Sequence, residues 1–337
     1  MLLNLDEFVS EFSKKIKTDS KILIITHVNP DGDAIGSLLG LYHFMKANAY
    51  NVSAATPNDF PEYLNWLVGN QDILNFQKHK SKVETAFLNS DILICVDFND
   101  PKRAGELEKY ILEYPRDKFL IDHHPQPSSD FNFILSDTKV SSAAELCYEF
   151  TRSFNAHKLN VDAAECFLTG IIADTGCLSF NSSTHRTFMN IAEILKMGVD
   201  KDKIVRGIYD NYSTTRMQLM GFCLKDKMQI FPEKKTGLIA INKVEQKAYD
   251  YQIGDSEGFV NLPLSIKGIV FSAYFMESDE YVRCSFRSRG NFDVNSFARA
   301  HFNGGGHLNA AGGKSFLSFD ETVHKFLVLL DKLEISE

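Results

Sequence analysis

The hydrophobic pattern of this chain predicts an α/β protein. An N-terminal domain carries a parallel sheet with helices on both faces, and a smaller α/β domain follows it. Three observations lead there. Short runs of β-branched and aliphatic residues alternate with helix-period segments through about the first 195 residues, the signature of right-handed βαβ units. Acids and histidines gather at the ends of those runs, where open parallel sheets bind their ligands. The 337 residues exceed what one compact core usually holds, and the texture changes after Gly198.

Taken in order, residues 2–17 form an amphipathic helix with Leu5, Phe8, Val9, Phe12 and Ile16 on one face. Strands are expected over 21–26, 51–56, 91–97 and 118–122, with a helix over 34–47 and further helices over 142–154, 161–172 and 185–197. Residues 201–227 are polar and helical in pattern, a connector. Strand-like runs then cover 237–243, 268–277 and 281–287, followed by a helix over 292–301, a last strand and a helix over 321–333. The expected division is 1–195 for the first domain, 196–230 for a helical linker or hinge, and 231–337 for the second domain.

Composition narrows the functional classes. With 44% apolar and 24% charged residues the chain reads as an ordinary globular protein. No apolar run approaches a membrane span, and the N-terminus lacks a basic start and a cleavage site, so a cytoplasmic location is the default expectation. Six scattered cysteines without a Cys-x-x-Cys pair argue against a disulfide framework or a structural zinc site. A net charge of −8 disfavours long duplex nucleic acid, which needs a broad basic surface, but leaves room for a small phosphate substrate.

The chemistry lies in the acids and imidazoles. His27, Asp31 and Asp33 follow the first strand, Asp97 closes Ile92–Val96, Asp122-His123-His124-Pro125 closes the run before it, and Asp174 ends Ile171-Ile172-Ala173. Each has an ordinary reading. Pro-Asp-Gly is turn chemistry, Asp33 could cap the helix starting at Ala34, Asp97 could start a turn, and Asp174 could face water at a helix end. Together they ask for cations, because clustered buried carboxylates are costly without them. Carboxylates and imidazoles without thiolates suit hard or borderline ions, Mn²⁺ ahead of Mg²⁺. Two such ions about 3.5–4 Å apart form the usual clamp for phosphoryl transfer to water. Gly32, Ala34, Gly36 and Ser37 are small enough to let backbone and phosphate approach. In the second domain Arg283, Arg287 and Arg289 share one strand face, either as a solvated surface or as a phosphate clamp. Gly304-Gly305-Gly306-His307 adds backbone amides and an imidazole donor for an anion, unless it is simply a tight turn.

With these residues set out, the chain resembles the DHH phosphoesterase superfamily, named for the triplet that stands here as Asp122-His123-His124. The resemblance covers nearly the whole chain. The four acid motifs match the N-terminal DHH domain. Arg287-Ser288-Arg289 and Gly304–Gly312 match the C-terminal DHH-associated domain. Size and the glycine motif are most similar to the NrnA-type group, nano-RNases that also dephosphorylate 3′-phosphoadenosine 5′-phosphate. The resemblance implies two divalent ions, one held by His27, Asp31 and Asp97 and the other by Asp33, Asp97, His123 and Asp174. It makes Asp122 and His124 catalytic, with Asp122 orienting its neighbouring imidazole and His124 facing the scissile phosphate. Arg283, Arg287, Arg289, Gly304, Gly305, Gly306 and His307 would bind substrate. The expected partners are short single-stranded oligonucleotides or small nucleotides, with no long duplex and no membrane, and a homodimer is compatible. Alternatives within enzymes are a cyclic or linear dinucleotide phosphodiesterase (c-di-AMP, pApA) and an exopolyphosphatase or pyrophosphatase. Outside enzymes the alternative is a nucleotide-sensing binding protein.

Overall fold

The structure is a computed structural model that describes residues 1–335. It contains two compact units, Met1–Asn211 and Tyr212 onward. The first runs α1 (Leu5–Lys15), β1 (Lys21–Ile25), α2 (Gly32–Ala47), β2 (Asn51–Thr56), β3 (Ile73–Asn75), α3 (Phe76–Asn89), β4 (Ile92–Val96), α4 (Glu108–Leu112), β5 (Asp117–Asp122) and β6 (Phe133–Ser136). It closes with α5 (Ala143–Asn155), α6 (Val161–Asp174), α7 (His185–Lys196) and α8 (Lys201–Tyr209).

Six strands pair in the order β3-β2-β1-β4-β5-β6, all parallel. The sheet grows to one side from β1 to β3 and to the other from β4 to β6. The strand order therefore reverses between β1 and β4, and a crevice opens at the carboxyl ends of those two strands. Successive residues face opposite layers. Ile22, Ile24, Ile94, Phe119 and Ile121 enter a core shared with α1, α2, α5 and α6. Leu23, Ile25, Leu93, Cys95 and Leu120 enter a second core with α3 and α4. The expected helices on both faces are present. They explain why the central strands read as unbroken apolar runs rather than alternating ones.

Helix α1 is locked by an Asn4–Glu7 capping box, and its Phe8 and Phe12 meet Phe119 and Phe150 edge-on at 5.1–5.5 Å. Helices α2 and α6 approach more closely than side chains allow. A Cβ at Gly36 would lie 2.6 Å from Cys166 O and 2.9 Å from Gly170 Cα, and one at Gly32 would lie 2.4 Å from Ala173 Cβ. This corrects the expectation that Gly32, Ala34, Gly36 and Ser37 make room for phosphate. All four are buried, and the glycines serve the contact between helices.

The second unit holds α9 (Thr214–Phe222), β7 (Gln229–Phe231), β8 (Thr236–Ile241), α10 (Lys243–Ala248), β9 (Phe271–Glu277), β10 (Val282–Ser288), α11 (Val294–His301), β11 (Gly305–His307), β12 (Ala310–Ser315) and α12 (Phe319–Lys332). Its sheet, ordered β11-β12-β10-β9-β8-β7, is antiparallel except for the β8–β9 pair. Phe271, Phe275, Phe286, Phe297, Phe302 and Phe326 build the core beneath α11 and α12. Ile239, Ile241, Tyr274 and Met276 face a smaller cluster with Leu219, Cys223 and Phe259.

Residues 196–230 do not stand apart as a linker. Helix α8 buries Ile204 and Ile208 in the first unit, where Lys203 pairs with Glu165 at 2.7 Å, while α9 buries Leu219 in the second. The polar texture of this stretch comes from the solvent faces of two short amphipathic helices. Five of the six free cysteines are buried. Among the described residues no helix is long and apolar enough to cross a membrane.

Replacing Gly36 by Val should cost about 1–3 kcal/mol by forcing α2 off α6. Chemical denaturation that returned the wild-type midpoint and slope would contradict this packing.

Candidate metal centre

The crevice between β1 and β4 collects the acids and imidazoles. His27 lies just beyond β1, and Asp97 directly follows β4. Asp122 is the last residue of β5, with His123 and His124 next in the chain. Asp31 is the N-cap of α2, Asp33 lies in its first turn, and Asp174 ends α6.

Each side chain is held by specific donors. Asp31 accepts the amides of Asp33 and Ala34 through Oδ1 at 3.0 and 3.1 Å. Asp33 is 2% exposed and reaches across to the start of α5, where Oδ2 and Oδ1 accept the amides of Ala143 and Ala144 at 2.7 and 2.8 Å. His27 donates Nδ1–H to Val28 O at 2.9 Å, which leaves Nε2 toward Asp97 Oδ2 at 3.2 Å. Asp122 accepts the His124 amide at 3.1 Å and its ring Nδ1–H at 2.8 Å. The imidazole it orients is therefore that of His124. Asp97 sits at φ 62°, a left-handed conformation that costs a non-glycine residue energy and that tolerates Asp and Asn best.

His123 Nε2 lies 3.6 Å from Asp97 Oδ1, 3.7 Å from Asp33 Oδ2 and 3.9 Å from Asp174 Oδ2. These separations are too long for hydrogen bonds and suit donors arranged around a common point. Asp97 Oδ1 is buried and has no hydrogen-bond partner. Within the first unit three sets of side chains each bring one ligand atom apiece within 4.8 Å of one another: His27, Asp31 and Asp97; Asp33, His123 and Asp174; Asp97, Asp122 and His124. The donor set is oxygen and imidazole nitrogen throughout. An orphaned buried carboxylate oxygen among such donors fits divalent cations of the hard or borderline kind.

The remaining residues singled out from the sequence lie in the second unit. Arg283 and Arg287 project from one face of β10, and Arg289 lies one residue past its end. Cross-strand register puts His307, Ala310 and Arg287 in one row on that face. The amides of Gly304 and Gly306 are already donated, to Ala298 O at 3.3 Å and Asn295 Oδ1 at 2.9 Å. The glycines meet a steric demand instead. A Cβ at Gly304 would fall 1.9 Å from Gly312 O, and one at Gly306 would fall 2.3 Å from Ala310 O.

Comparison with known proteins accounts for both units. Residues 21–171 match the N-terminal domain of the DHH family, and residues 240–333 match the DHHA1 domain. The chain belongs to the DHH family. It is 27% identical to the bifunctional oligoribonuclease and PAP phosphatase NrnA of Bacillus subtilis, over 93% of this chain and 94% of that one. An exopolyphosphatase-related protein from Bacteroides fragilis is 39% identical, with a TM-score of 0.92 over 97% of this chain and 96% of its own. RecJ of Thermus thermophilus, solved in complex with Mn²⁺, shares the fold at 12% identity. Its TM-score is 0.58 over 98% of this chain and 55% of that one. This DHH protein is accordingly a phosphoesterase.

Within the DHH unit the electrostatics follow from burial. Burial raises the carboxyls of Asp33 and Asp97 well above the ordinary range, with Asp97, Asp174 and Asp31 adding to it for Asp33 and Asp31 leading the charges on Asp97. Burial and then Arg103 lower the His27 imidazole, which keeps it neutral as a ligand must be.

Two contributors escaped sequence reasoning. Arg103 follows the Asp97 turn. Its carbonyl accepts the Val28 amide at 2.8 Å and its charge favours the ionised form of Asp97. The signal was a basic residue in the turn behind a strand-end acid. The second is a buried network behind Asp33. Glu145, wholly buried, accepts Ser141 N and Oγ, Thr187 Oγ1 and Asn190 Nδ2. Arg186 forks onto Glu149 and reaches Asp137 at 2.6 Å. These contacts pin the 137–144 loop whose amides hold Asp33. The partners of Arg186 lie 37 and 49 residues away, beyond the reach of any local pattern.

In chelator at pH 7.5, Asp97→Asn should raise Tm by at least about 2 °C, since it removes a buried like charge at a backbone angle Asn accepts. The wild-type carboxyl is raised above its unfolded value, so its penalty is present at high pH. It fades as pH falls toward the ordinary carboxylate range, and the mutant's advantage should fade with it. A mutant no more stable than wild type in chelator would refute the charge crowding.

Proposed function

We propose that this phosphoesterase hydrolyses short oligonucleotides and 3′-phosphoadenosine 5′-phosphate with two divalent ions, Mn²⁺ favoured over Mg²⁺. The observation that carries the reading is the convergence of His123 with Asp33, Asp97 and Asp174 at 3.6–3.9 Å beside an orphaned Asp97 oxygen. His27, Asp31 and Asp97 would hold one ion. Asp33, Asp97, His123 and Asp174 would hold the other, with Asp97 common to both. Such ions supply Lewis acidity toward phosphoryl oxygens and make water a nucleophile near neutral pH. The choice among phosphate esters follows from NrnA, similar in sequence over nearly its full length and named for oligoribonuclease and PAP phosphatase activity.

The chain's own residues supply orientation and charge. Asp122 takes the Nδ1–H of His124 and holds the ring in place, so that the imidazolium form would present Nε2–H to a phosphoryl oxygen. Arg103 offsets part of the negative field around Asp97. Val28 and Arg103 are tied through the backbone, so the two strand ends flanking the crevice keep their spacing. In the second unit Arg287, Arg289 and His307, with Arg283 farther along the face, would bind substrate phosphates through charge-assisted bonds. Gly304 and Gly306 admit no Cβ against β12, and Gly305 leaves the row of Gly312 and Ser285 nearly free of side chains.

Hydrolysis of PAP and of a dinucleotide should vanish in chelator and return with Mn²⁺ more than with Mg²⁺. Full turnover by metal-free protein would sink the proposal. Asp97→Ala should be the most damaging acid substitution, at least about a thousandfold in kcat. A near-normal Asp97→Ala beside a dead Asp33→Ala would remove the shared-ligand role.

Arg287→Ala and His307→Ala should lower kcat/KM for PAP and the dinucleotide while bound metal, counted by elemental analysis, stays at the wild-type level. A generic aryl phosphodiester should be affected less. Equal losses on all three substrates, or loss of metal, would take these residues out of substrate binding.

A further inference from the structure

The sheet of the second unit leaves one strip of its surface open. On the face that carries Tyr274 and Met276, the smaller apolar cluster covers β8 and β9. On β10 and β12 the same face shows Arg283, Ser285 and Arg287 beside Lys314, Gly312 and Ala310, all half-buried or exposed. Register sorts these residues into rows. His307, Ala310 and Arg287 form the first, Gly305, Gly312 and Ser285 the second, and Lys314 with Arg283 the third. The middle row is almost without side chains. The result is a shallow trough, floored by small residues, with cations at both ends.

The far end is costly as pure structure. Arg283 and Lys314 stand directly opposite each other, both exposed, and like charges in that position destabilise a sheet. Among the described residues neither takes a carboxylate partner within 4 Å. Lys314 instead lies over the Tyr281 ring, 4.4 Å from its centroid, and Tyr281 meets Phe316 edge-on at 6.4 Å. Phe316 is 71% exposed. Cations interleaved with accessible aromatic rings are the recognition chemistry of single-stranded nucleic acid, whose phosphates need charge and whose bases need a flat partner.

Resting on the proposed reading that Arg287 and His307 bind a substrate phosphate, we propose that Arg283, Lys314, Tyr281 and Phe316 form a subsite for the remote nucleotides of a single-stranded oligonucleotide. Arg283 lies four residues along β10 from Arg287, roughly 13 Å at strand rise. A mononucleotide anchored at Arg287 does not extend that far, whereas a chain of several nucleotides does. The trough thus gives the enzyme a length preference within its substrate class.

The test compares PAP, a dinucleotide, a pentanucleotide and short-chain polyphosphate, using the full chain with Mn²⁺. It is paired with anisotropy of a labelled pentanucleotide in chelator. Lys314→Glu creates an ion pair with Arg283, so it should raise Tm, yet lower the kcat/KM ratio of pentanucleotide to PAP about tenfold. Phe316→Ser should lower the same ratio several-fold without that stabilisation. Unchanged ratios in both variants, or equal losses on every substrate, overturn the subsite. A loss in Lys314→Glu with none in Phe316→Ser also overturns it, since it would indicate an anion chain read without its bases. If wild type turns over none of the substrates, the proposed function fails on its own account. The anisotropy arm still decides the trough: weaker pentanucleotide binding by both variants supports it, and equal binding refutes it.

Discussion

The DHH unit is organised around one electrostatic problem, the crowding of carboxylates at the carboxyl ends of β1, β4 and β5. Asp33, Asp97 and Asp122 are nearly inaccessible to water, and burial raises the carboxyls of Asp33 and Asp97 toward their neutral forms. The neighbourhood answers each acid separately. Asp31 is satisfied by the first turn of α2, Asp33 by the start of α5, and Asp122 by His124. Asp97, held in a left-handed conformation, keeps an oxygen without a hydrogen-bond partner. The fold therefore leaves one buried carboxylate oxygen among donors that could hold a divalent cation.

That dependence explains features remote from the crevice. Gly36 and Gly170 bring α2 against α6, which sets Asp33, near the start of α2, beside Asp174 at the end of α6. The network of Glu145, Glu149, Asn190 and Arg186 is large for a buried polar cluster, and its members are bonded to one another rather than left unsatisfied. It holds the loop that presents two amides to one carboxylate. In the second unit the economy differs. Positive groups sit on an exposed sheet face, where water and salt screen them, so they need no comparable scaffold.

Much of this was legible in the chain itself. Strands β1, β4 and β5 announce themselves as unbroken β-branched runs because both faces of a parallel sheet are covered. The acids that end those runs mark the ligand edge before any topology is known. Strands β3, β6, β7 and β11 were not foreseen. Each has only three or four residues and exists because a longer neighbour offers it hydrogen bonds, which local propensity does not encode. Residues 196–230 read as a connector because short amphipathic helices expose most of their surface.

The sequence by itself determined the fold class, the two-part organisation and the identity of the clustered acids and imidazoles, since these rest on periodicity and residue type. Tertiary structure alone decided what each small or polar residue does. Gly36 packs a helix rather than admitting phosphate, Asp33 caps a helix 110 residues away, and Arg186 braces a loop. Lys314 meets Arg283 across a strand pair. Those roles depend on which distant segments come into register. Hydrogen bonds and charge pairs act over a few ångströms in space regardless of separation along the chain.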